Sequence, residues 1–137
     1  MPISPYLAAL RAKIGHDRVL IPAACAVIFN DRGETLLNRS ADDGKWHTIG
    51  GTIDPREEPA AAAKREVKEE TGLDVVVERI VSVYAGPYMK YRNGDEIDCV
   101  TIAFACRVTG GGEARPMDGE ALEFAWFSHA ALPDDLS

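Results

Sequence analysis

The segment Pro59–Thr71, Pro-Ala-Ala-Ala-Ala-Lys-Arg-Glu-Val-Lys-Glu-Glu-Thr, constrains the chain more than any other stretch. Proline in the first turn, four alanines, a run of charged helix formers and Gly72 as a stop mark it as a helix. Helical spacing puts Glu66, Glu69 and Glu70 at i, i+3 and i+4, on one face. Ala60, Ala63 and Val67 form an adjoining apolar stripe that can pack on a sheet. Each neighbouring pair of glutamates repels, at a cost of about 0.2–0.5 kcal/mol on an isolated helix. A carboxylate at a helix C-terminus also opposes the macrodipole. A hard divalent cation reverses that cost, because Mg²⁺ takes oxygen ligands and keeps positions open for phosphate. Without its surroundings, the same cluster also reads as a solvated glutamate face.

The rest of the chain supplies partners for the apolar stripe. Ser4-Pro5 opens a short N-terminal helix with Leu7, Leu10 and Ile14 at helical spacing and Gly15 as its stop. Val19 to Asn30 and Glu34 to Arg39 flank Asp31-Arg32-Gly33 and read as a hairpin. Leu73 to Tyr84, Glu96 to Val108 and Leu122 to Phe127 read as further strands, and Ser128 begins a short helix near Leu132. Gly86 to Asp95 reads as a loop, and Gly110-Gly111-Gly112 as a break. With neither repeat nor linker, 137 residues and 46% hydrophobic content imply a single α/β domain, 1–137, with a mixed sheet between helices.

Charge narrows the partners. The chain carries a formal net charge of -7, with its basic residues scattered singly, so a nucleic-acid polymer is not an expected partner. Small phosphates would need a cation between themselves and this surface. Cys25, Cys99 and Cys106 lie in apolar runs and read as buried small hydrophobes of a reducing compartment. The absence of a leader-like N-terminus or an 18-residue apolar run makes a cytoplasmic location, with no membrane partner, the expectation.

The segment Gly51–Leu73 resembles the signature box of the Nudix hydrolases: Gly, five residues, Glu, seven residues, then Arg-Glu-aliphatic-x-Glu-Glu-x-Gly-aliphatic. Gly51, Glu57, Arg65, Glu66, Val67, Glu69, Glu70, Gly72 and Leu73 meet every fixed position. The resemblance implies a Nudix-type α/β/α sandwich with a mixed β-sheet between helices. It implies a metal site of Glu66, Glu69 and Glu70, with Glu66 and Glu70 the direct ligands, completed by the carbonyl of Gly50, whose neighbour Gly51 lets the backbone approach. Arg65 and Glu57 would pair and hold the loop against the helix. Mg²⁺, replaceable by Mn²⁺, would serve as cofactor. Three positions depart from the usual pattern: Ile49 where proline is common, Arg56 where glycine is common, and Glu58 where a Ser or Thr cap is common.

The reaction so implied is hydrolysis of a diphosphate linkage in a small nucleotide, with ADP-ribose or a nucleotide sugar as first expectation. A nucleoside-triphosphate pyrophosphatase is the second reading and a non-catalytic nucleotide-binding module the third. A homodimer is an allowed assembly. The base that takes the water proton could come from the box or from a later acid. Glu113 is the first choice among Glu113, Asp118, Glu120 and Glu123. Trp46, His47, Tyr88 and Tyr91 are the expected substrate contacts, since an aromatic ring can stack on a nucleobase.

Overall fold

The computed structural model describes residues 3–110 and 112–136, so Gly111 of the glycine run lies outside the described residues. Helix α1 spans Pro5–Ile14 and helix α2 spans Pro59–Thr71. The strands are β1 (Val19–Phe29), β2 (Thr35–Ser40), β3 (Trp46–His47), β4 (Ile49–Thr52), β5 (Asp74–Lys90), β6 (Glu96–Thr109) and β7 (Ala121–Phe127). A short 3-10 turn, His129–Ala131, follows. All seven strands share one mixed sheet in the order β3-β2-β1-β6-β5, with β4 beside β1 and β7 beside β2.

The parallel ladder between β1 and β6 holds the centre, running from Val19 opposite Ile97 to Phe29 opposite Arg107. Alternation along β1 divides its side chains between two cores. Ala24, Ala26 and Ile28 join Ala62, Ala63 and Val67 of α2, together with Phe104 and Cys106. Ile21 and Ala23 join Leu7 of α1, with Ile97 and Cys99. The two helices therefore cover opposite faces, as the sandwich expectation requires. All three cysteines are buried and free, and no described helix is long and apolar enough to cross a membrane.

Two elements differ from the sequence expectations. The expected hairpin of the first two strands splays apart, and β1 meets β2 only at Phe29 and Thr35. β1 instead takes β4 as its antiparallel neighbour over Ala23–Ala26, while β2 pairs with β7 and β3. A strand buried on both faces gains more from the full-length ladder with β6, with β4 on its other side, than from its sequence neighbour. The expected loop Gly86–Asp95 is mostly strand, because β5 continues to Lys90 through register shifts that absorb its irregular residues. Only a tight turn remains before β6, closed by Tyr91 N–H donating to the Asp95 carbonyl and Gly94 N–H to the Tyr91 carbonyl.

The loop between β4 and α2 keeps its shape despite the unusual Arg56. That residue has φ +63°, in the left-handed region where glycine is at ease and a side chain is not. Glu58 caps α2 without a side-chain hydrogen bond. We expect Arg56→Gly to raise unfolding free energy by about 0.5–1 kcal/mol in urea titrations, strain relief outweighing the added freedom of the unfolded chain. A lower midpoint for the variant would mean that Arg56 contributes contacts which outweigh its backbone strain.

Candidate functional site

The site is built from the C-terminal half of α2 and the loop that reaches it. Arg65 is the hub. Its Nε donates to Glu57 Oε2 at 2.8 Å and its Nη2 to Glu57 Oε1 at 3.0 Å, a two-pronged pair. Nη2 also donates to the Thr52 carbonyl at 3.1 Å, and Nη1 to Glu66 Oε1 at 3.1 Å. Glu57 in turn accepts the Asp54 N–H at 3.0 Å. One guanidinium thus ties the end of β4, the following loop and the helix together. Arg65 holds the Glu57 carboxyl below the usual carboxylate range, and Glu57 first among its neighbours raises the Arg65 pKa further.

One turn further on, Glu66 and Glu70 lie against each other and both are buried. Glu70 Oε2 is buried with no hydrogen-bond partner among the described residues. Burial first, then the Glu66 charge, pushes the Glu70 carboxyl up to about 9, with Asp118 and Glu120 adding to the shift. Burial raises Glu66 as well, although the Arg65 charge opposes it. Such a pair is repulsive when both members are ionised and holds one proton instead.

The loop carrying Asp118 and Glu120 is fastened to this helix by the helix's own loose ends. Thr71 and Glu70 stand in the last turn of α2, where carbonyls lack helical partners. Arg115 N–H donates to the Thr71 carbonyl at 3.1 Å and Met117 N–H to the Glu70 carbonyl at 3.3 Å. Gly72 turns the chain away at φ +78°. Asp118 and Glu120 thereby line one cleft of about 420 Å³ with Thr52, Asp54, Arg65, Glu66 and Glu69. Nucleotide-sized ligands occupy spaces on that scale.

Among the described residues no three acidic, His or Cys side chains already converge as a metal cage. Glu69 is 54% exposed and turned to Arg65 at 3.3 Å. The donor set still fits a hard cation, because the buried Glu70 oxygen has no donor among the described residues and the charges of Glu66, Asp118 and Glu120 around it are all negative. Gly50 sits where the backbone must approach closely. A Cβ there would collide with the Ala24 carbonyl oxygen and lie 2.7 Å from Cys25 Cα, so the tight position is Gly50 itself.

The expected outer residues separate. Glu113 lies in a different cleft, lined by Phe29, Leu36, Leu73, Arg107 and Trp126, and not with the glutamates. Glu113 was expected as the base because it follows the glycine run. Chain proximity to a break says nothing of where the loop docks, and its docking bonds bring Asp118 and Glu120 to the helix instead. Glu123 pairs with Arg39 across β7 and β2. Trp46 is a core side chain, edge-on to Phe127 with ring centres 4.9 Å apart. His47 contacts Asp43 at 3.0 Å. Tyr88 lies on β5 under the Arg18 guanidinium, 5.7 Å from its ring centre. Tyr91, in the turn, has its phenol raised by burial, with the Cys99, Asp42 and Glu120 charges adding to it.

The Glu70 shift gives a pH signature in chelator. A carboxyl whose folded pKa is about 9, above its ordinary 4.5, contributes stability that is complete at acid pH and is lost as pH rises through about 9. The melting temperature should therefore fall between pH 5 and pH 9, and Glu70→Gln should fall less. Equal slopes in the two proteins, followed by calorimetry in EDTA, would show that Glu70 does not carry this strain.

The matching family model is the NUDIX domain, which covers residues 19–137. A MutT-like protein of Streptomyces ambofaciens is 30% identical over 84% of this chain and 66% of its own length. The 8-oxo-dGDP phosphatase NUDT18 of Homo sapiens is 33% identical over 81% of this chain, and the match takes up 33% of that longer protein. In three dimensions an ADP-ribose pyrophosphatase of Streptococcus suis superposes with a TM-score of 0.64 at 28% identity, over 82% of this chain and 77% of the other. Box residues, sheet order and these likenesses agree: the chain belongs to the Nudix family.

Proposed function

We propose that the protein hydrolyses a diphosphate linkage within a nucleoside diphosphate derivative, ADP-ribose or a nucleotide sugar before others. The observation that carries this reading is the buried Glu66–Glu70 pair, with an unpartnered oxygen on Glu70 among the described residues, at a nucleotide-sized cleft that Glu66 lines. The similarity to an ADP-ribose pyrophosphatase supports the substrate class. The second reading is a nucleoside-triphosphate pyrophosphatase that cleans the nucleotide pool, and the similarity to an 8-oxo-dGDP phosphatase supports its choice of damaged nucleotides.

When bound, Mg²⁺ or Mn²⁺ would neutralise charge on the diphosphate and lower the pKa of the attacking water. Glu66 and Glu70 would hold it, with the Gly50 carbonyl and Glu69 as further oxygens. Arg65 keeps Glu66 oriented while it locks the loop through Glu57, so it acts by positioning. Asp118 or Glu120 would take the water proton, because their loop is fixed over the glutamates. Glu57 stays ionised below the usual range and does not compete for that proton.

A panel of ADP-ribose, nucleotide sugars, 8-oxo-dGDP and nucleoside triphosphates in Mg²⁺, read by product chromatography, tests the reading. AMP and ribose phosphate from ADP-ribose are the expected products, and EDTA should abolish them. Glu70→Gln should lower the rate at least about a hundredfold, the equivalent of ~3 kcal/mol of transition-state stabilisation. Asp118→Asn and Glu120→Gln should each lower kcat, whereas Glu113→Gln should not. Pyrophosphate released from triphosphates alone would favour the second reading. Nucleotide binding without turnover would leave only the binding module.

A further inference from the structure

Helix α1 stands ahead of the residues matched by the family model, yet it reaches the cleft. The helix is pinned along its length. Leu7 is buried against Ile21, Ala23, Ile97 and Cys99. The Arg11 side chain, 9% exposed, donates to the carbonyls of Gly15, Asp17 and Glu96 and pairs with Asp95 at 3.6 Å. A helix held so firmly at the β5–β6 turn has a fixed opposite end. There, Ile3, Ser4 and Pro5 line the cleft, in company with Glu66, Glu69 and Asp118.

The chemistry of that end is apolar. A helix N-terminus attracts anions only through free N–H groups. Here Pro5 has none, and two of the next three are taken: Leu7 N–H donates to Ser4 Oγ at 3.2 Å and Ala8 N–H to the Ser4 carbonyl at 2.9 Å. The apolar surface this end offers a ligand is the half-exposed Ile3 side chain and the Pro5 ring. The glutamates occupy the other wall and demand the cation-bound phosphates, so the part of the substrate that meets α1 is its uncharged end.

We propose that Ile3 and Pro5 form the wall that receives the nucleobase, making the N-terminal segment a specificity element added to the family domain. The proposal rests on the hydrolase reading, and the test separates the two. ADP and inorganic pyrophosphate are titrated into the whole protein by calorimetry in Mg²⁺. Ile3→Asn should weaken ADP about tenfold and leave pyrophosphate unchanged, Ile3→Val should bind ADP as the parent does, and the melting temperature should not move. Leu20→Asn, exposed on β1, serves as the control and should change neither ligand. Unchanged ADP affinity in Ile3→Asn, or equal weakening of both ligands, overturns the wall. A parent protein that binds neither ligand overturns the reading of the cleft itself.

Discussion

Everything at the site depends on one guanidinium. Arg65 touches the Glu57 carboxylate, the Thr52 carbonyl, Glu66 and Glu69, so it links the sheet, the loop and the helix. Its fixed planar fork suits this work better than a point charge would, because several acceptors are met at once in defined directions. The same contacts leave Glu66 biased toward Arg65 and Glu70 deprived of a positive partner. That asymmetry places the unmet charge demand on the buried Glu70 and not on the exposed Glu69.

Legibility in the sequence followed the range of the interaction. Helix α2 and its ends were readable because proline, alanine and glycine act within a turn of where they stand. The Arg65–Glu57 pair is legible only through the resemblance, since Glu57 stands at the end of the loop ahead of α2, whose course no local rule fixes. Arg56 illustrates the point well. It replaces the usual glycine, yet the backbone keeps a glycine-like φ, so the surrounding bonds define the loop and the residue conforms.

What could not be read came from contacts between distant segments. The docking of residues 115–117 on the last carbonyls of α2 involves plain backbone groups, which carry no signature in the side-chain pattern. In sequence alone Asp118 and Glu120 therefore stand behind Glu113, and it is the docked loop that brings them to the helix. Trp46 looked like a base-stacking ring because it precedes the glycines, but its partner Phe127 lies at the other end of the chain. The long β5 was cut short because Gly86 and Pro87 suggest a turn, whereas an edge strand tolerates both at a register shift.

The ladder between β1 and β6 has a kinetic meaning. Val19–Phe29 finds its parallel partner only at Ile97–Arg107, after most of the domain has been made. Pairings of such high sequence separation close late, since the loop-closure entropy must be met before the contacts form. During synthesis β1 is an apolar strand waiting on an open edge, while α2 and the β5–β6 hairpin can form from local sequence. The last strand in the centre to be completed is β6, and with it both cores close at once. A nascent chain stalled before Glu96, with the first two-thirds of the protein made, would thus leave Ile21 and Ile28 together without their β6 partners, one from each core.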